Sequence, residues 1–302
     1  MRGLTVVTGA GDVLELNKGL LKNNTGYDLR HLFIGSEGTL GIICEAELSL
    51  VRGPGHRRVQ LLGVPDMSAC LEVLRFYRQR FALSAFEFFS DVALAKVREK
   101  TGYPLPLSTP APFYALVEIE TEIEGDEAFL EALLQAFETC CGQGWVTDAV
   151  LAENISQAQG LWRYREDISE TLAKFRPYKQ DLSVRVSRLP EFIRDVERVV
   201  ARHFSNLEVV WYGHIGDGNL HLNILKPKAL EADSFMECCH RAGRDIAEVV
   251  SAHGGSVSAE HGIGLLKKDW LPYSRSDSEI TLMRGIKAMF DPNNIMNPDK
   301  IF

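Results

Sequence analysis

The sequence contains no CxxC pair, no long apolar run, no block of basic residues and no low-complexity segment. Each absence removes a class of reading. Only six cysteines occur in 302 residues, and four stand in adjacent pairs, Cys140 with Cys141 and Cys238 with Cys239. That spacing suits neither a disulfide framework nor a thiolate zinc site. It fits buried thiols in a reducing compartment, so the cytosol or an organelle matrix is the expected location. No stretch approaches the ~20 apolar residues of a membrane span, and Met1-Arg2-Gly3 does not open a secretory signal. A net charge of −8 without a Lys/Arg run argues against a nucleic-acid surface. Neither GxGxxG nor a phosphate loop ending in Lys-Ser/Thr is present. What remains is ordinary for a globular chain, 45% hydrophobic and 25% charged, with length for one large domain or two smaller ones.

Residues 4–8 and 13–16 read as a hairpin around Gly9-Ala10-Gly11-Asp12, and a two-stranded hairpin needs a partner sheet. The expectation is that this partner is missing from the chain or supplied by another one. At Arg52-Gly53-Pro54-Gly55 the texture changes, which marks a domain boundary. Beyond it, strands (59–64, 85–89, 114–120, 145–151, 182–187, 208–212, 220–225) alternate with helices (67–80, 92–100, 127–139, 155–175, 191–203, 232–252). A last helix spans 278–290 and an extended tail follows. The expected fold is α+β, a mainly antiparallel sheet with helices on one face. The expected domains are 1–52, 53–270 and a C-terminal helix with tail, 271–302.

The chemistry is concentrated in two glycine-rich stretches, 213–223 and 258–264. His214, His221 and Glu260 supply the three ligands of an open zinc-type site, with His261 beside them, and three ligands leave a position for water or substrate. Seven residues apart on one strand, the histidines would face opposite ways. Gly216-Asp217-Gly218-Asn219 between them is strong turn chemistry, so a hairpin is expected, with Asn223 on the face of His221. Asp217 suits the turn better than a ligand role. Adjacent residues on a turn point to different sides, so Glu260 can ligate while His261 moves a proton. Arg165 and Ser169 share a helix face with Trp162. From spacing alone the Arg165 run reads as a solvated helix surface; taken together, Arg165 and Lys179 can hold carboxylates. Gly35, Ser36, Glu37, Gly38, Thr39 and Gly41 read either as a tight loop entering a strand or as backbone held open to an anionic or planar ligand.

Taken together, residues 22–43, 213–223, 259–264 and 290–302 resemble FAD-linked D-2-hydroxyacid dehydrogenases of the vanillyl-alcohol-oxidase type, a group that includes D-lactate dehydrogenases and glycolate oxidase subunits. The resemblance covers essentially the whole chain. The run Asn23-Asn24-Thr25-Gly26-Tyr27-Asp28-Leu29 is most similar to the branch acting on D-2-hydroxyglutarate. The resemblance implies FAD and a divalent metal, zinc, as cofactors. It implies His214, His221 and Glu260 as metal ligands and His261 as catalytic base. Arg165, Ser169, Lys179 and Asn223 would bind the substrate, with Ser169 where a Thr is common, and the loop before Lys179 is a residue shorter. Gly35, Ser36, Glu37, Gly38, Thr39, Gly41 and Asn297 would lie against the flavin.

Such proteins carry, ahead of the position of Leu4, glycine-rich loops that bind the FAD pyrophosphate, and these are not in the chain. Residues 1–52 therefore read as a remnant of the FAD domain, and 53–270 as the substrate domain. The implied partners are a small 2-hydroxyacid (D-2-hydroxyglutarate or D-lactate-like), an electron acceptor, and a second copy or a separate FAD-domain chain. Two rivals stand beside the dehydrogenase. One is a flavin-free fragment that binds metal and carboxylate without catalysis. The other is a metal-dependent hydrolase, against which the 35–41 loop counts.

Overall fold

The computed structural model describes residues 1–122, 126–204 and 207–302. In chain order the elements begin with β1 (Gly3–Thr8), β2 (Val13–Leu16), α1 (Arg30–Phe33) and β3 (Gly41–Glu47). Then come β4 (His56–Val64), α2 (Met67–Arg78), β5 (Ala82–Ser90), α3 (Asp91–Thr101), β6 (Phe113–Thr121), α4 (Glu127–Gly142) and β7 (Asp148–Leu151). They continue with α5 (Ile155–Ala173), β8 (Tyr178–Ser183), α6 (Leu189–His203), β9 (Val209–His214), β10 (Asn219–Ile224), α7 (Ala232–Ala252) and α8 (Asp277–Phe290). The chain divides into two compact units, residues 1–53 with 260–302 and residues 54–259. The sequence placed the second crossing near 270; the units part at 259/260. No helix among the described residues is long and apolar enough to cross a membrane.

In the first unit β1 and β2 form the expected hairpin, Leu4 opposite Leu16. Its partner is not missing. β3 pairs antiparallel with β1, giving the order β2-β1-β3. A hairpin partner is announced by a short turn, whereas one reached through a long loop leaves no local signal. Leu4, Val6, Phe33 and Leu40 are buried on one side, with Ile286 and Phe290 of α8 packed against them.

Helix α8 starts at a capping box formed by Ser276 and Glu279, and it closes at Asp291. The Asp291 carboxylate, 2% exposed, accepts from the Ile295 and Met296 N–H groups and pairs with Lys287. Burial pushes this carboxyl up, but the bonds from Lys287, Met296 and Ile295 outweigh it and hold it below its ordinary value of 3.8. The linkage sign is that of a depressed carboxylate. The stabilisation is present above the unfolded value and lost as pH falls through the lower folded one. Asp291→Asn is therefore expected to cost about 1–3 kcal/mol at neutral pH and to flatten the acid side of the stability curve. Urea titrations from pH 3 to 7 check this; parallel curves for variant and parent would contradict it.

The second unit is a seven-stranded sheet in the order β7-β4-β6-β5-β9-β10-β8, with every neighbouring pair antiparallel. Helices cover both faces, not one as the sequence suggested. Val59 and Leu61 of β4 and Tyr114 and Leu116 of β6 join a core with Leu94 and Val97 of α3 and Leu161 and Ile168 of α5. Gln60, between Val59 and Leu61, points the other way and accepts from the Tyr77 hydroxyl of α2 at 3.1 Å. β6 is buried along nearly its whole length, so it alternates between two apolar faces, and each demands a helical layer. Burying an aliphatic side chain there contributes about 1.5–3 kcal/mol.

Candidate active site

β9 and β10 form the hairpin that the glycine-rich turn predicts, with Asn219 opposite His214 and His221 opposite Tyr212. Asp217 accepts from the Asn219 N–H at 3.2 Å, a turn role as expected. Gly218 has φ +85°, and a Cβ there would lie 2.1 Å from the Val184 carbonyl oxygen, so no other residue fits.

Residues directly opposite on neighbouring strands share a face. β8 places Asp181 opposite His221 and Lys179 opposite Asn223, while β5 places Glu87 opposite His214. Glu87, Tyr212, His214, His221, Asn223, Lys179 and Asp181 thus line one face of the sheet, the face that carries α3 and α5. Helix α5, started by the Asn154 cap, lays Arg165 over this row. Its guanidinium stands 4.8 Å over the Tyr212 ring. Ser169, one turn on, and Lys179 are exposed.

Two carboxylates that sequence reasoning gave no role organise the row. Glu87, 7% exposed, meets Nδ1 of His214 through Oε1 at 2.8 Å and Arg165 Nε and Nη2 through Oε2, each at 3.0 Å. Asp181, 1% exposed, lies 3.5 Å from Nδ1 of His221. A carboxylate hydrogen-bonded to Nδ1, as Glu87 is to His214, selects the tautomer with its proton there and places that ring's lone pair on Nε2, the arrangement of a metal-ligating histidine. The two rings stand edge to face, 5.6 Å between centroids. The Asn223 amide oxygen is buried with no hydrogen-bond partner among the described residues, the state of a group that a ligand would satisfy. Glu118, on the same face, accepts from the Trp162 indole at 3.1 Å and from Ser84, and pairs with Arg57, which anchors α5 to the sheet. The available signal for Glu87 was a lone acid in a strand with Phe86, Phe88 and Phe89, and for Asp181 a carboxylate two residues from Lys179.

The strand pairing carries the chain through Ser258, bridged to Asp181, to Ala259, whose N–H donates to the Asp181 carbonyl at 3.3 Å. Glu260 and His261 follow directly, as the first residues of the other unit, and both are exposed. Within that unit the Glu37 carboxylate accepts from the N–H groups of Ile263 and Gly264 at 2.8 and 2.7 Å. Asn297 donates its amide to the Glu37 carbonyl at 2.6 Å. The 35–41 loop, the His261 turn and the tail are therefore one knot. Glu37 sits at φ +54° between Gly35 and Gly38, also at positive φ. Ser36 and Thr39 spend their hydroxyls on backbone carbonyls. The loop thus offers a ligand backbone, not side chains, and a Cβ at Gly35 would meet nothing within 4 Å.

A family model described as FAD linked oxidases, C-terminal domain, matches residues 53–301. A D-2-hydroxyglutarate dehydrogenase of Stutzerimonas stutzeri (strain A1501) is 51% identical over 99% of this chain and 64% of its own length. A mitochondrial D-2-hydroxyglutarate dehydrogenase of Bos taurus is 39% identical, over 99% of this chain and 54% of its own. The chain thus spans between about half and two thirds of the length of these curated relatives. Among solved structures, p-cresol methylhydroxylase with substrate bound superposes with a TM-score of 0.71 at 14% identity, over 99% of this chain and 64% of that one. This is a likeness of fold.

Proposed function

The chain belongs to the family of FAD linked oxidases, C-terminal domain, and from that premise we propose that it forms the substrate-binding part of a flavin-dependent dehydrogenase that oxidises D-2-hydroxyglutarate, or a close D-2-hydroxyacid, to the 2-oxoacid with the help of a divalent metal. The observation that carries the reading is the single sheet face on which Lys179 and Asn223, with Arg165 laid over it from α5, stand beside two histidines that each have a buried carboxylate next to Nδ1. The names of the relatives support the choice of substrate.

The donor set, two imidazoles and a carboxylate, suits zinc. His214 and His221 would hold it through Nε2, and Glu260, following Ala259, would complete the set. The metal, when bound, supplies a Lewis acid for the α-hydroxyl and α-carboxylate. FAD, when bound, supplies the acceptor for the hydride of Cα. For the flavin the fit lies in the open backbone at Gly35, with Ser36, Glu37, Gly38, Thr39, Gly41 and Asn297 shaping that wall.

The remaining work falls to side chains of the chain. His261 takes the proton of the α-hydroxyl, on a turn that Glu37 keeps in place through two N–H bonds. Arg165 and Lys179 hold the carboxylates, one by a planar fork and one as a point charge, which rewards a dianionic substrate over a monoanionic one. Asn223 offers its buried amide, and Ser169 a hydroxyl at the rim.

Arg165→Lys keeps the charge and loses the fork. It is expected to raise KM for D-2-hydroxyglutarate about 10–100-fold, the cost of one or two charge-assisted hydrogen bonds, with a smaller change in KM for D-lactate. Steady-state kinetics on both acids checks this. Equal effects on both would remove the carboxylate role from Arg165.

A further inference from the structure

The residue that binds the two halves of this site together is Glu87. It stands on β5, near the middle of the sheet, with its side chain on the site face. A buried carboxylate is costly unless charged or polar groups surround it. Glu87 is 7% exposed, and its two oxygens are divided between two functions. Oε1 meets His214 Nδ1 at 2.8 Å, and Oε2 meets Nε and Nη2 of Arg165 at 3.0 Å. One oxygen therefore sets the ring of an expected metal ligand, while the other sets the guanidinium of an expected substrate ligand. Because Oε2 takes Nε and one side of Nη2, Nη1 and the second Nη2 proton lie outside the pair and remain a fork for other partners.

We infer that Glu87 is a positioning residue that couples metal binding to substrate binding, by orienting His214 for the metal and Arg165 for the substrate carboxylate through one rigid group. The inference rests on the metal-assisted reading above and deepens it. It does not follow from the fold alone, because a structural acid has no need to touch both an expected metal ligand and an expected substrate ligand. Glu118 shows the contrast. It is equally buried, at 8% exposed, on the neighbouring strand and the same face, and it pairs with Arg57, Trp162 and Ser84 without touching either histidine.

In a glutamine at 87, one end of the amide is a donor. If that end faces His214 it opposes the Nδ1–H tautomer; if it faces Arg165 it confronts a cation.

The test is zinc titration of the full 302-residue chain against a chromophoric chelator, for the parent, Glu87→Gln and Glu118→Gln. The expected result is a loss of zinc affinity of about 10–100-fold in Glu87→Gln, the range for outer-shell partners of metal ligands, and a change within about threefold in Glu118→Gln. Addition of D-2-hydroxyglutarate is expected to tighten zinc binding in the parent and not in Glu87→Gln.

A folded Glu87→Gln protein that binds zinc as the parent does would overturn the inference and leave the metal reading standing. Equal losses in both variants would also overturn it, since they would show a merely structural role. A parent chain that takes up no zinc would overturn the metal reading, and this inference with it. Should Glu87→Gln fail to fold, the histidine tautomers of the metal-free parent decide by 15N NMR, with His214 assigned by signal loss in His214→Gln. Protonation of His214 at Nδ1 is the expected result, and protonation at Nε2 overturns the inference.

Discussion

Replacing His261 with alanine in the FAD-loaded protein is expected to slow flavin reduction by D-2-hydroxyglutarate about 10²–10⁴-fold, the usual worth of a positioned general base, while zinc content stays at the parent level. The expectation separates two roles that adjacent residues invite confusing. Glu260 and His261 leave Ala259 together, and the turn they begin is fixed by Glu37 through the N–H groups of Ile263 and Gly264. That clamp holds the backbone whatever side chain stands at 261, so the substitution removes the proton acceptor and leaves the turn. Anaerobic stopped-flow at 450 nm reads the rate. A variant that reduces its flavin as fast as the parent would take the base role from His261. One that loses zinc as well would make it a ligand.

The second large effect is expected at His221. Unlike His214, whose side chain is 34% exposed, His221 is nearly enclosed, packed at 4.9 Å on the Tyr212 ring with Asp181 behind it. His221→Ala should therefore cost more zinc affinity than an outer-shell change, at least about 10²-fold. Substrate oxidation should fall with the metal. Asp181, left with one partner fewer at 1% exposure, should lower stability as well, by about 1–3 kcal/mol. Zinc content of the purified variant and its urea midpoint together check this. Parent-like zinc content would remove His221 from the ligand set.

Much of this is legible in the sequence, and the reasons are local. The turn between His214 and His221 is written in Gly216-Asp217-Gly218-Asn219, and once it is a hairpin, a two-residue period puts Asn223 beside His221. Helices α5 and α8 carry their starts as Asn154 and Ser276 caps. The rest depended on which strand lies beside which. The pairing of β3 with β1, and of β5 with β9, joins segments far apart in sequence, so neither the filled edge of the small sheet nor the Glu87 contact with His214 leaves a local mark. The expectation of helices on one face failed for a related reason. A strand such as β6, buried on both sides, looks like any short apolar run until its neighbours are known. Glu37 is a different case. Its carboxylate ties the His261 turn through the N–H groups of Ile263 and Gly264, a contact between loops that no spacing rule anticipates.

The central claim is that the metal acts as a substrate clamp on this sheet face, and calorimetric titration of D-2-hydroxyglutarate into the zinc-loaded and the zinc-stripped chain tests it most directly. The expected result is saturable binding of one equivalent to the zinc-loaded chain, weakened about 10-fold or more when zinc is removed. Binding of equal strength with and without zinc would contradict it.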